Sequence, residues 1–281
     1  MFSDHRHHRR FVSGFTLIEA IIVLILTAIL SMMAARFITK PIVQYQDLSR
    51  RADLSDTANA AVRRISRDLH LALPNSVRSV NSSCLEFVPT YDGGRYRAVA
   101  DSTGAGNLFK ATQSITQFDV LGPLSAAPPN NDFVVVYNLG IPGADVYAAD
   151  NRATLNGAST TTLMSFAAKT FPFASAGYRF QLVANSEQAV SFVCSGVGID
   201  AAGNGTGTLY RAAAYGFVAA PVACAAVNAG TPIMAQNVSA CQFSYASGAS
   251  ERSGLVSIRL SITRTNEIVS IYHDVNINNV P

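Results

Sequence analysis

Residues Phe15–Ala35 read FTLIEAIIVLILTAILSMMAA, 21 positions with a single charge, Glu19. As an α-helix this stretch is about 31 Å long, close to the hydrocarbon thickness of a bilayer. Before it, Met1–Gly14 sets Arg6, Arg9 and Arg10 against Asp4 and also carries His5, His7 and His8; after it come Arg36 and Lys40. A secretory signal has a shorter apolar core that ends at a small-x-small site. Here the pairs at those positions (Ser31/Met33, Met32/Ala34, Met33/Ala35) each contain a bulky Met. The span is therefore expected to be retained, with the basic segment cytoplasmic and everything after Lys40 outside.

The rest of the chain is large enough to bury a core. Of 281 residues, 49% are hydrophobic and only 14% charged, so the composition is not that of a disordered chain. A formal charge of +3 is too small for the electrostatic footprint of a nucleic-acid binder. Only His70 and His273 lie beyond the basic segment, which argues against a histidine-based metal centre.

Glu19 is costly in an ordinary anchor. A carboxylate at the centre of a membrane helix costs about 2.5–3.5 kcal/mol on insertion scales, less near an interface. It either snorkels at the helix end or seeks a partner. Gly14-Phe15-Thr16-Leu17-Ile18-Glu19, after a short basic leader and before an apolar run, resembles the type III signal of type IV pilins and pseudopilins. The resemblance implies that a prepilin peptidase removes leader 1–14 by cutting between Gly14 and Phe15, and that the Phe15 amine is methylated. It also implies that Glu19 pairs with the amine of a neighbouring subunit, which offsets the penalty of burying the charge.

Beyond Pro41, which is expected to bend or loosen the helix, a helical rhythm runs through Leu48, Ala52, Ser55, Ala58, Val62, Ile65, Leu69 and Ala72. Arg50, Arg51, Arg63, Arg64 and Arg67 fall largely off that stripe, and Asp47–Arg51 and Arg64–Asp68 have i,i+4 spacing for pairing. The arginines read as a solvated face; the alternative is an electropositive surface for neighbouring subunits. Pro74 is expected to stop the helix, and a sheet to cover the stripe.

From Asn75 the texture becomes β-branched and aromatic runs between Gly, Pro, Asn and Ser. Strands are expected at Cys84–Val88, Tyr96–Ala100, Ile115–Leu121, Phe133–Asn138, Tyr178–Val183, Val190–Cys194, Thr208–Ala212, Cys241–Tyr245, Leu255–Thr263 and Ile268–Ile277. The last two flank Arg264-Thr265-Asn266-Glu267 as an antiparallel hairpin. Gly122–Asp132, Leu139–Thr162 and Ala219–Pro232 read as long exposed loops.

Cys84, Cys194, Cys224 and Cys241 all follow the span, where an oxidising compartment favours disulfides. Three pairings are open to them. Cys224–Cys241 is favoured, closing a loop and contributing roughly 3 kcal/mol, with Cys84–Cys194 as the second bridge. A zinc site is not expected, since no C-x2-C pair exists. Asp200-Ala-Ala-Gly-Asn204-Gly205 fails as a calcium loop, because Ala202 and Arg211 stand where ligands are needed. Asp145 and Asp150 could offer oxygens to a cation but read as a solvated loop. No phosphate-loop motif is present, and neither His70 nor His273 neighbours a recognisable nucleophile. The expectation is no catalytic residue, no metal and no cofactor.

Further segments refine the resemblance. Ala61-Val-Arg-Arg-Ile-Ser-Arg-Asp68-Leu and Pro74-Asn-Ser-Val-Arg78 are similar to the helix end of J-type minor pseudopilins of type II secretion. Cys84-Leu-Glu-Phe-Val-Pro89, Gly94-Arg-Tyr-Arg97, Tyr137–Gly143, Asn237–Phe243 and Asn279-Val-Pro281 look more like MshO-type minor pilins of mannose-sensitive haemagglutinin (MSHA) pili. The family implies an α+β, pilin-like fold: a long N-terminal helix, membrane-spanning in its first half, packed against an antiparallel sheet domain with long loops. The expected domains are leader 1–14, transmembrane and assembly helix 15–40, amphipathic extension 41–73 and periplasmic β-rich body 74–281. It further implies low copy number, a place in an initiating or tip complex, and residence first in the inner membrane and then in the filament. The implied partners are the prepilin peptidase, other minor and major pilins and the inner-membrane assembly platform, with no nucleic acid. A J-type pseudopilin and a ligand-binding tip adhesin using the long loops are the alternatives.

Overall fold

A computed structural model describes residues 14–247 and 253–281, apart from the Thr39 side chain. Positions 1–13 of the expected leader lie outside the described residues. The chain divides into two compact units, Met1–Arg50 and Arg51–Pro281. One helix, α1 (Leu17–His70), contributes residues to each.

In the first unit the sequence is all helix from Leu17 onward, and its assigned span continues through Pro41. The side chains described between positions 15 and 49 are all exposed. A long row of exposed apolar groups is what a helix that meets lipid or other helices looks like.

In the second unit, α1 turns Leu54, Ala58, Ala61, Val62, Ile65 and Leu69 inward, a row stepped by three and four residues. Burial begins at Leu54. Leu48 and Ala52, expected on the stripe, are exposed, and Ser55 is only half-buried. The last turn tightens, with the Leu71 and Ala72 N–H groups donating to Asp68 and Leu69 carbonyls three residues back. The helix thus ends four residues before Pro74.

The body follows as β1 (Arg78–Asn81), β2 (Cys84–Phe87), β3 (Asp92–Tyr96), β4 (Ser114–Leu121), β5 (Phe133–Val135), β6 (Arg152–Thr154) and β7 (Leu163–Thr170). It continues as β8 (Arg179–Val183), β9 (Val190–Ser195), β10 (Gly207–Ala212), β11 (Ile233–Ser247), β12 (Ser253–Arg264) and β13 (Glu267–Asn278). Seven strands form one sheet in the order β1-β2-β9-β10-β11-β12-β13, and six form another, β6-β5-β8-β3-β4-β7. All pairings are antiparallel. The architecture is α+β: a long apolar N-terminal helix whose second part packs on antiparallel sheets.

The seven-stranded sheet covers the α1 stripe. Alternate residues of the last hairpin (Val256, Ile258, Leu260 and Ile262 from β12, Val275 and Ile277 from β13) join the helix side chains in one core. The hairpin turns on Thr265 and Asn266, both at positive φ, as a two-residue connection of this hand requires. The six-stranded sheet has its own core of aromatic rings, among them Tyr96, Phe109, Phe118, Phe166, Phe171 and Phe180. Leu73, Val88, Phe133, Val135, Val146, Tyr147, Val183 and Ala189 form a third cluster.

Several expectations change. The strand placed at Tyr96–Ala100 is β3, which ends at Tyr96, because Gly93 and Gly94 are strand residues here. A Cβ on Gly93 would lie 2.7 Å from the Phe180 carbonyl oxygen of β8, so the close strand approach selects glycine. Leu139–Thr162 is no exposed loop: it contains β6 and buries Ala144, Val146, Tyr147, Asn151 and Leu155. Neither expected helix pair forms. Asp47 meets Arg50 at 3.5 Å, Arg51 meets Glu267 at 3.6 Å and Asp68 meets Arg211 at 2.8 Å.

The disulfides also pair differently from the expected Cys224–Cys241 and Cys84–Cys194. Cys84 is bonded to Cys224, and Cys194 to Cys241. Strand register explains why. Cys84 lies opposite Val193, so Cys194, one residue on, points to the other face of the sheet and cannot reach Cys84. Cys241 lies on β11 beyond Val238, which pairs with Gly207 at the start of β10, so no strand separates it from the end of β9.

Candidate functional site

The chain's most chemically specific stretch opens α1. Gly14 is exposed, and a Cβ built on it would meet no heavy atom within 4 Å. Phe15 is 81% exposed. Thr16 caps the helix: its Oγ1 accepts the Glu19 N–H at 3.3 Å and its carbonyl accepts the Ala20 N–H at 3.2 Å. Thr16-Leu-Ile-Glu19 thus has the T-x-x-E spacing of a capping box, which places an acid where the helix dipole is positive. Gly14 and Phe15 precede the first turn, and both are exposed. From Leu17 the helix is long and apolar enough to cross a membrane.

The remaining expected residues are separately placed. The four cysteines bridge strands and a loop of the body. His70 and His273 are exposed on α1 and β13. Among the described residues no group of three or more His, Cys, Asp or Glu side chains is placed to hold a metal ion.

Asp200 folds its own loop: its Oδ1 accepts the N–H groups of Ala202 and Asn204 at 2.9 and 2.8 Å. The Asn204 N–H chiefly holds its pKa below the ordinary value. The loop serves as a clasp. Asn204 Oδ1 accepts the Thr265 N–H and the Gly203 carbonyl accepts the Asn266 N–H, seizing the tip of the β12–β13 hairpin. A Cβ on Gly203, whose φ is +76°, would sit 2.2 Å from Asn266 Oδ1. Asp145 and Asp150 likewise serve backbone: the Tyr147 N–H donates to Asp145 Oδ1 and the Asp145 N–H to Asp150 Oδ2.

Sequence reasoning missed a buried ionic cluster. Glu86 is 3% exposed on β2, with Oε2 2.6 Å from Arg78 Nε and Oε1 accepting the Tyr215 hydroxyl at 2.7 Å. The Arg78 guanidinium also donates to the Val218 and Ala219 carbonyls and covers the Tyr147 ring at 3.4 Å. This cluster and the Cys84–Cys224 bridge hold the 215–226 segment around a cavity of about 310 Å³. The cluster ties β1 and β2 to the segment that holds Tyr215, Val218 and Ala219, which is the arrangement of an anchor. The available signal was one Glu inside the apolar run Cys84-Leu-Glu-Phe-Val.

No curated protein and no solved structure matches the chain. Residues 9–35 match the family model for the prokaryotic N-terminal methylation motif, which covers Arg9 and Arg10, the capped start of α1 and its apolar run. With a helix of membrane-spanning length and an α+β body carrying two disulfides, that match supports a chain of the type IV pilin and pseudopilin kind.

Proposed function

We propose that this chain is a minor pilin of an MSHA-like type IV pilus, acting in filament initiation or at the tip. Prepilin peptidase cuts between Gly14 and Phe15, and the new Phe15 amine is methylated. The single-pass chain waits in the inner membrane with its body in the periplasm, then joins other minor and major pilins through the assembly platform. The reading is carried by one observation: Gly14-Phe15-Thr16-Leu17-Ile18-Glu19 forms the exposed, capped start of a helix whose side chains described up to position 49 are all exposed. Once Phe15 is the first residue, Glu19 lies one helical turn from the free amine, within reach of a neighbour's amine in a staggered bundle. The segments similar to MshO-type pilins favour the pilus over type II secretion.

Mass spectrometry of the native chain is expected to find N-methyl-Phe15 as its first residue. A chain beginning at Met1, or one lacking Phe15–Ala35, overturns the proposal. Glu19→Ala is expected to leave membrane insertion intact and to deplete the protein from sheared surface filaments. Wild-type incorporation would remove Glu19 from assembly.

A further inference from the structure

Four charged side chains along the middle of α1 have ion-pair partners: Asp47 with Arg50, Arg51 with Glu267, Asp68 with Arg211. Five between positions 53 and 67 do not. Asp53, Asp56, Arg63, Arg64 and Arg67 are exposed, and among the described residues none of their side chains forms an ion pair or hydrogen bond. They project opposite the Leu54–Leu69 stripe, with the small, exposed Ala60 between the acids and the bases. Their order is unfavourable for an isolated helix. Asp53 and Asp56 are like charges at i,i+3, as are Arg64 and Arg67, while Arg63 and Arg67 are like charges at i,i+4, and every such pair destabilises the helix that carries it.

The two groups share one spacing. Asp53 precedes Arg64, and Asp56 precedes Arg67, by eleven positions. Three helical turns contain about 10.8 residues, so both offsets return to nearly the same side of the helix about 16 Å further along. A second helix of this sequence, parallel and displaced by three turns, would set an acidic pair against a basic pair at i,i+3 on both strands of the contact. A displacement of either one or two turns would not.

We propose that residues 53–67 of α1 form a charge-registered docking face for a second copy of this chain, parallel and three helical turns out of step. This rests on the pilin reading for the parallel orientation, which a common membrane anchor imposes. One junction needs only two copies, so it fits a low-abundance subunit.

The test uses full-length chains in cell membranes. Copies carrying Asp56→Cys and copies carrying Arg67→Cys, with different tags, are expected to form a mixed-tag disulfide product that is absent between Asp56→Cys copies. Because new cysteines can disturb the native bridges, charge variants provide a second measurement. Asp53→Arg/Asp56→Arg and Arg64→Asp/Arg67→Asp are each expected to abolish co-purification of two tagged copies, and the fourfold exchange to restore it. The proposal is overturned if the same-site product forms as readily as the mixed one, if the reversals leave co-purification intact, or if the fourfold exchange fails to restore it. Capture of a different protein by Asp56→Cys in place of the Arg67→Cys copy also overturns it. N-terminal sequencing of the same samples separates the two proposals. Chains starting at Phe15 without the mixed product sink only the docking register; chains starting at Met1 with that product sink only the pilin reading.

Discussion

Glu86 costs the fold desolvation that only its partners offset. With the Arg78 guanidinium and the Tyr215 hydroxyl on its two oxygens, the carboxylate is satisfied; without Arg78 it is a buried, uncompensated charge. Arg78→Ala is therefore expected to lower stability by about 3–5 kcal/mol in urea unfolding, and an exposed control such as Arg63→Ala by much less. The surrounding tyrosines extend the effect to alkaline pH. Burial, with Glu86 as a further cause, raises the Tyr147 and Tyr215 pKa values well above 10, and burial raises that of Tyr96. A phenol whose pKa is higher folded than unfolded contributes stability that is complete below pH 10 and lost as pH climbs through the folded value. Stability should thus hold up to about pH 9 and fall once pH exceeds about 10, as unfolding curves across that range would show. At this scale the sequence was partly legible. Gly14, Phe15 and Glu19 stood out because their chemistry is unusual for where they sit. Glu86 did not, because its partners lie 8 and 129 positions away.

Helix α1 earns its place in the body through one row of side chains. Ile65 is fully buried, and Ile65→Ala should cost about 2–5 kcal/mol by opening a cavity against the sheet, measurable as a lowered denaturation midpoint with unchanged slope. The existence of this row was readable from its three-and-four spacing, but not its start, because an exposed lipid-like helix and an amphipathic one share Leu and Ala until something covers them. Strands with β-branched alternation, such as β12 and β13, were legible almost to the residue. Strand β7 was not: Leu163-Met-Ser-Phe-Ala-Ala-Lys-Thr170 has weak strand propensity and is strand because β4 offers it an edge. The disulfide partners were hidden for a related reason, since a one-residue shift in register turns a cysteine to the opposite face.

At the scale of the molecule, the two bridges close loops of 140 and 47 residues. Taken singly, loop-closure entropy assigns them about 5 and about 4 kcal/mol. Cys84→Ser/Cys224→Ser is expected to lower the thermal midpoint and to free the 215–226 segment for proteolysis. An unchanged midpoint, and unchanged protease resistance, would contradict the anchoring role. The far end of the chain is tied down as well. Asn75 Nδ2, just past the helix, donates to the Asn279 carbonyl, and Asn279 Nδ2 donates to the Tyr245 hydroxyl. The α1 stripe is thus roofed in part by β12 and β13, which follow it far along the chain. Because Ser253 follows Leu69 by 253 − 69 = 184 positions, a growing chain carries that row through all the intervening synthesis before this part of its roof exists, and something else must shield it meanwhile. A chain broken off before Ser253 would lack both strands and leave that row without the Val256–Ile277 part of its cover.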